Sequence, residues 1–481
     1  MRLTAGRVLF AVTAVVMCAT GASSRGVAAV NSSRSAAVTS RAPTAAARAS
    51  VVSANPIRHV IVIYQENHSF DETLGKFCEL HHRRCDGYTG TVRLKNGAVV
   101  AMHQSRDIVP NVFHNVKAQV TAVDGGKMDG WSKVGFCSKK KHFACLTYYV
   151  PSQIPSLAAL ASKFVVADRT FSMANSPSWG GHLYVAAATL DNFTGELPTP
   201  ARGFARGPGW GCNSNLQAPW ISPKTHTVSM QPSCIPARPG TLDPKRYPFN
   251  GAMRGTRVSW VPTIFDRLDA KHISWKLYSS TAVWAVCPSF AECLYGPQHD
   301  NVVATTRILR DAAHGTLPSF SVLLPEGGKR TDQHNGNSML VGDNWIGRAV
   351  SAIESGPDWS STAVFITYDD CGCFYDHVPP GKNPDGTPQG VRVPMVIVSP
   401  YAKAAYTDHH QATFASILKF TEETFGLAPL SVNDRKAYDY SASFDFNAAP
   451  TGSRTTLGQH RVPAASLRYL AAHPLDLDDP T

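Results

Sequence analysis

A run of apolar, β-branched residues, Val60-Ile61-Val62-Ile63, leads directly into Glu66-Asn67-His68-Ser69-Phe70-Asp71. An apolar run without polar alternation predicts a strand buried on both faces, as in a sheet covered by helices. Such a strand ending in oxygen-bearing side chains points to an α/β site, because loops at the carboxyl ends of parallel strands face a crevice. The pattern recurs far downstream, where Ala363-Val364-Phe365-Ile366-Thr367-Tyr368 runs into Asp369-Asp370. If both strand ends share one crevice, Glu66, Asp369 and Asp370 concentrate negative charge, and carboxylates that close repel unless protons or a cation compensate. Oxygen ligands suit a hard divalent ion, so Glu66, Asn67, Asp369 and Asp370 are the expected metal ligands.

Between these stretches the pattern alternates. Helices are predicted over Phe113–Val120, Ser156–Lys163, Leu183–Leu190, Ile264–Ala270, Val303–His314, Asp343–Glu354 and Phe414–Phe425, and strands over Phe164–Ala167, Ser274–Tyr278, Ser319–Leu324 and Val393–Ser399. Alternation of this kind predicts an α/β fold with a mainly parallel central sheet and helices on both faces. Asn96-Gly97 predicts a hairpin within Tyr88–His103. Leu190–Arg254, rich in Pro, Gly and Trp, reads as a loop-rich insertion facing the substrate, and the polar segment after Leu430 as a tail packing on the domain.

The first residues bear on location. Arg2 and Arg7, the apolar Val8–Thr20 and the small residues Val27-Ala28-Ala29 have the order of a secretory signal peptide over 1–29. Its apolar part is short for a membrane span. Val30–Pro56, dominated by Ala, Ser, Thr and Arg, reads as a flexible linker, so the catalytic domain is expected over 57–430. Eleven cysteines less Cys18 leave an even number, which fits disulfides in an exported chain, with neighbours Cys78/Cys85, Cys137/Cys145, Cys212/Cys234 and Cys287/Cys293 suggested by spacing. Cys371 and Cys373 remain; only Gly372 separates them, and a bridge that short is strained. The formal charge of +11 falls to +8 once Arg2, Arg7 and Arg25 of the signal are subtracted. A mildly basic protein favours anionic substrates. Lys139-Lys140-Lys141 reads as a solvated loop, and no nucleic-acid partner is expected.

Ser178, in Asn175-Ser176-Pro177-Ser178-Trp179-Gly180-Gly181-His182, precedes an Ala-rich helical stretch. Most serines at such places are simple helix caps. Beside a divalent cation, the hydroxyl loses its proton more easily and can attack phosphorus, and free N–H groups at the helix start suit an anion. Ser178 is therefore the candidate nucleophile and a fifth metal contact. His114 and His334 are candidates to bind the phosphate or protonate the leaving group. Asp376-His377 reads as structural support for the acidic pair.

The segments ENHSFDETLG, DGGKMDGW, NSPSWGGHLY, TYDDCGCFYDHVPP and HHQATFASILKFTEETFGL resemble, in that order, the phosphoesterase family of bacterial phospholipases C, a bacterial acid phosphatase and plant non-specific phospholipases C. The resemblance spans Ile57 to Leu430. It implies an alkaline-phosphatase-like core with one divalent metal (Ca, Zn, Mg and Mn are all admissible) held by Glu66, Asn67, Ser178, Asp369 and Asp370. It also implies Ser178 as the nucleophile and a phosphate pocket at His114 and His334; attack of Ser178 on phosphorus is expected to give a phosphoserine intermediate that water hydrolyses. Asp370 stands where many relatives have Glu, Asn335 where relatives have Pro after the histidine, and Cys371-Gly372-Cys373 replaces two glycines and an aromatic or His. His409 aligns with a histidine of no settled role. The chain is expected to be the catalytic module alone, without the β-domains that follow it in long bacterial relatives.

The expected partner is a phosphoester, either a phospholipid head group, with transient contact to a membrane surface, or a small phosphomonoester. The rival from another class is a non-catalytic extracellular binding module stabilised by metal on the same fold, which has no need of the Ser178 hydroxyl. A sulfatase-like activity requires Cys/Ser-x-Pro-x-Arg, which Ser176-Pro177-Ser178-Trp179 does not provide.

Overall fold

His59–Gln65 forms strand β1, and its alternate side chains serve two separate cores. Val60, Val62 and Tyr64 point into one, Ile61 and Ile63 into the other. This is the physical content of an apolar run with no polar alternation: neither face reaches water. The computed structural model describes residues 55–242, 255–280, 286–326 and 330–474. The expected signal peptide and all of the linker but Asn55-Pro56 lie outside the described residues.

The other strands of the central sheet, in chain order, are β2 (Val165–Ala167), β3 (Trp275–Tyr278), β4 (Val302–Val303), β5 (Phe320–Leu323), β6 (Thr362–Tyr368), β7 (Met395–Val398) and β8 (Thr407–Asp408). Their spatial order is β4-β3-β5-β1-β6-β7-β2-β8. β1 lies between β5 and β6 and is parallel to both; β7 alone runs antiparallel to its neighbours β6 and β2. The sheet is thus mainly parallel, as the alternation predicts. The helices α1 (Val116–Val123), α2 (Pro155–Lys163), α3 (Ser178–Ala187), α4 (Ile264–Asp269), α5 (Arg307–His314), α6 (Met339–Ser355) and α7 (Phe414–Phe425) cover both faces. α3, α4 and α7 share the core of Val60 and Val62, whereas α1, α2, α5 and α6 share that of Ile61 and Ile63.

Several boundaries differ from expectation. α1 begins at Val116 rather than Phe113, because Asn115 caps it by accepting from Ala118 N (2.9 Å) and leaves Val112–His114 outside the helix. The helix expected from Val303 begins at Arg307, since Val302-Val303 pair with β3 as an edge strand. Leu190–Arg254 was expected to lack regular structure, yet it carries an antiparallel sheet of Thr199–Pro200, Leu216–Ile221 and Val228–Pro232. Pro219 inside Leu216–Ile221 conceals that strand, because proline cannot donate to a ladder and argues against a central strand. The hairpin forms as expected, Thr91–Arg93 pairing with Val99–Ala101. After Leu430 the chain runs along α6, where Thr455 N and Oγ1 donate to Glu354 (2.6 and 2.8 Å) and His460 N donates to Asn344 Oδ1 (2.8 Å).

The disulfides are Cys78–Cys85, Cys137–Cys145, Cys212–Cys234 and Cys287–Cys293. Cys371 and Cys373 are buried thiols, and Cys373 N–H donates to Cys371 Sγ (3.2 Å). Among the described residues no helix is long and apolar enough to cross a membrane.

Candidate active site

The register of two adjacent strands builds the site. β1 and β6 pair in parallel with Gln65 opposite Tyr368, so the next residues, Glu66-Asn67 and Asp369-Asp370, leave the sheet side by side. Asp369 N donates to Gln65 O (3.0 Å), and Asn67 N donates to Asp369 Oδ1 (3.1 Å). Asn67 turns the chain in the left-handed region (φ 53°), which asparagine tolerates better than most residues. Gly372 (φ 56°) completes the facing turn; a Cβ there would stand 2.3 Å from Asn67 O, so the two loops approach this closely only with glycine at 372.

α3 points its first residue at these loops. Ser178 Oγ donates to Glu66 Oε2 (3.0 Å) and also lies 3.2 Å from Asn67 Oδ1. The helix is held at this depth by Tyr64, whose hydroxyl donates to Gly181 O (2.8 Å). Gly181 lies so close to β6 that an added Cβ would sit 2.8 Å from Asp369 O. One turn beyond Ser178, His182 Nε2 meets Glu66 Oε1 at 3.0 Å. Glu66, His182 and Asp369 bring ligand atoms within 4.8 Å of one another. His182 is the member of this group that the sequence reading missed. Its signal was the i,i+4 spacing from Ser178, which places both on one face of α3.

The electrostatics show what the nest lacks by itself. Burial, then Asp332, pushes the Glu66 carboxyl up to about 8; burial, then Glu66, pushes Asp369 to about 8. Asp370 is raised well above the carboxylate range by burial and by Asp369. Asp370 Oδ1 accepts from Gly372 N (2.6 Å), but Oδ2 is buried with no partner. Asn67 Oδ1 faces Glu66 Oε2 at 3.1 Å and the two Asp369 carboxylate oxygens at 2.8 and 3.1 Å. An amide oxygen turned toward carboxylates is repelled unless a cation lies between them; with no cation, the opposite amide orientation would satisfy every group. A buried set of carboxylate oxygens with one imidazole nitrogen and one orphaned carboxylate oxygen fits a divalent ion.

His114 and His334 lie on the other side of Asn67, their rings 5.5 Å apart. In the same orientation the Asn67 amide nitrogen is 3.1 Å from His114 Nε2 and 2.8 Å from His334 Nε2. His114 Nδ1 donates to Val112 O (3.0 Å), so a neutral ring leaves Nε2 as acceptor for the Asn67 amide. Burial lowers the His114 pKa, and burial with His114 takes His334 down to about 3, which keeps both rings neutral. Through Nε2 both rings thus face the Asn67 amide. Asn335, where proline would remove the side-chain donor, gives Nδ2 to Val112 O (2.8 Å) and ties the His334 turn to the His114 loop.

Two other sequence candidates lie apart from the nest. His409 is exposed and paired with Asp168 (3.0 Å). His377 bonds Asp71 Oδ2 (2.7 Å) and Asp86 Oδ1 (3.1 Å), while Asp376 Oδ1 accepts from the buried Arg392 (2.8 Å). Asp376 Oδ2 also accepts from Asp71 N (3.2 Å), which anchors the helical turn that follows Asn67; the bonds of this pair go to Asp71, Asp86 and Arg392 and not to the expected Asp369-Asp370.

Residues 57–428 match the model of the phosphoesterase family. The chain belongs to that family. It is 25% identical over 402 residues to non-specific phospholipase C3 of Arabidopsis thaliana, covering 74% of this chain and 66% of the plant protein. It is 24% identical over 460 residues to phospholipase C B of Mycobacterium tuberculosis, covering 85% of this chain and 81% of that protein. The alignments span just under two thirds of the first plant relatives' own length. Among solved structures, a protein of the alkaline phosphatase superfamily from Vibrio parahaemolyticus aligns with a TM-score of 0.35 at 9% identity, over 81% of this chain and 72% of that one.

Proposed function

We propose that this family member is a secreted, metal-dependent hydrolase of phosphoric esters, of phospholipase C or acid phosphatase type, with Ser178 as nucleophile. The observation that carries the reading is the position of Ser178 Oγ, 3.0 Å from Glu66 Oε2 and 3.2 Å from Asn67 Oδ1, at the first residue of a buried helix. Glu66, Asn67, Asp369 and Asp370 would hold one divalent ion, with Ser178 beside it and His182 fixing the far oxygen of Glu66. When bound, the ion neutralises the carboxylates, lowers the pKa of the serine hydroxyl and balances charge on the phosphoryl oxygens.

The chain's own groups do the rest. Glu66 Oε2 accepts the hydroxyl proton as Oγ attacks; the Oγ–P bond forms, the bond from phosphorus to the leaving oxygen breaks, and that oxygen takes up the proton Glu66 holds, passed through water. Water then cleaves the phosphoserine and restores the hydroxyl. The α3 N-terminus favours the anion. His114 and His334 hold the Asn67 amide with its oxygen toward the carboxylates, and they reach a phosphate oxygen only when a ring gives up that bond.

The lipid-ester form of the reading is supported by relatives named as phospholipases C. Disulfides in the described residues support an extracellular location. The test is Ser178→Ala, assayed for phosphocholine release from phosphatidylcholine vesicles and for phosphate release from a soluble monoester. Loss of turnover by at least about 10³-fold in the preferred assay is expected for a missing nucleophile. Retained turnover refutes the mechanism, and a wild-type protein that only binds would favour the non-catalytic module.

A further inference from the structure

The loop carrying Lys139-Lys140-Lys141 reads from sequence as solvated, but tertiary structure sets it beside the site. Phe113, one residue before His114, is 54% exposed. Its ring lies on Gly135, where an added Cβ would stand 2.4 Å from Phe113 Cδ2. It meets the half-buried Phe136 edge-on at 5.2 Å. Lys141 Nζ lies 5.0 Å from the centre of the Phe136 ring. Lys139, Lys140 and Lys141 are all exposed, on a short 3-10 turn inside the loop closed by Cys137–Cys145. On the exposed face of α1, Lys117 and Val120, three residues apart, extend the same combination of cation and apolar side chain.

Single exposed apolar residues are ordinary. Here an exposed ring meets a half-buried one edge-on, Lys141 lies over the second, and the strip is continuous in the chain with His114. Charge decides the occupant. Residues 113–145 contain six lysines against Asp124 and Asp129, and Asp124 is itself paired with Lys95 (2.8 Å). Aromatic rings suit the head-group level of a bilayer, and lysines can bury their stems while their ammonium groups meet anionic lipid. A disulfide-closed loop presents them with less ordering cost than a free segment.

We propose that Phe113, Phe136 and Lys139–Lys141 form a docking surface for bilayers bearing anionic lipid, which sets the mouth of the Ser178 site at the head-group plane. The proposal deepens the phosphoesterase reading by making its substrate a membrane lipid, but docking itself requires no turnover. The test is flotation of the full chain with vesicles of phosphatidylcholine alone and of phosphatidylcholine with 30% phosphatidylglycerol. A lysine near an anionic surface contributes about fivefold in affinity, so K139Q/K140Q/K141Q should bind the anionic vesicles about 100-fold more weakly. Phe113→Ser should weaken binding further, and raising the salt to 0.5 M should release the wild type.

The lysine variant should keep wild-type turnover of a soluble monoester and wild-type near-UV dichroism. Equal binding of wild type to the two vesicle compositions, or unchanged binding by the lysine variant, overturns the proposal. So does capture of single-stranded DNA through these lysines with no vesicle binding. A chain that docks but hydrolyses no phosphoester would sink the catalytic reading and leave the surface standing.

Discussion

Asp370→Asn separates a cation nest from an ordinary buried carboxyl. In wild type Asp370 is fully buried; one oxygen accepts from Gly372 N, while the other has no partner and stands against the charges of Asp369 and Glu66. An unsatisfied buried polar group costs about 1–3 kcal/mol. Asparagine keeps the acceptor for Gly372 N and replaces the orphaned oxygen with an amide that can donate to the neighbouring carboxylates. Without a cation the raised Asp370 carboxyl holds a proton and can donate in the same way, so in chelator at pH 7.5 the variant should match wild type to within about 1 kcal/mol. With a divalent ion at about 1,000 times its Kd, wild type should gain about 4 kcal/mol. If the lost charge weakens binding about 100-fold, the variant at the same ion concentration gains only about 1.4 kcal/mol. Denaturant unfolding with and without ion reads both quantities, and scanning calorimetry checks their order. A variant less stable than wild type in chelator, with the full ion-dependent gain intact, would show Asp370 to be a structural acceptor and would refute the nest as described.

Two further predictions rest on different parts of the fold. Gly181→Ala puts a methyl 2.8 Å from the Asp369 carbonyl oxygen, which forces α3 away from β6 and Ser178 away from Glu66; kcat should fall on the order of 10²-fold with a stability loss of about 1–3 kcal/mol, and a variant with wild-type kcat would contradict the placement of α3. His377→Gln tests the buried ion-pair cluster. The wild-type His377 pKa is raised above 6.5, because, although burial opposes its charge, the Asp71 hydrogen bond and the charges of Asp71 and Asp376 prevail. Asp71 is itself pushed up to about 6 by burial and Asp376, against His377 and Arg392. Both groups hold a proton more tightly folded than unfolded, so the cluster's contribution is present at low pH, declines from about pH 4 and is lost as pH rises through the folded pKa of His377. The variant should lose about 1–2 kcal/mol below pH 6 and show a flatter profile above 6.5 in urea unfolding; parallel wild-type and variant profiles would contradict this assignment.

The linear chain already determined the core of this protein. Strands β1 and β6 were legible because burial on both faces demands an unbroken apolar run, and that demand is local. The acidic ends of those strands were legible for the same reason, since residues just past a strand inherit its direction. Ser178 was legible as the start of a helix. What the chain could not show was proximity. His182 joins Glu66 only because Gly181 lets α3 descend onto the end of β6, a contact between residues far apart in sequence. His114 and His334 read as phosphate ligands by residue type, and only the packed loops turn their Nε2 atoms toward the Asn67 amide. The lysines of the Cys137–Cys145 loop are exposed, as a solvated loop predicts, but only the fold sets Lys141 over the Phe136 ring and Phe113 against its edge. Local pattern fixes what a segment buries; which side chains then share a few ångströms of space depends on register and helix approach, and these are properties of the folded whole.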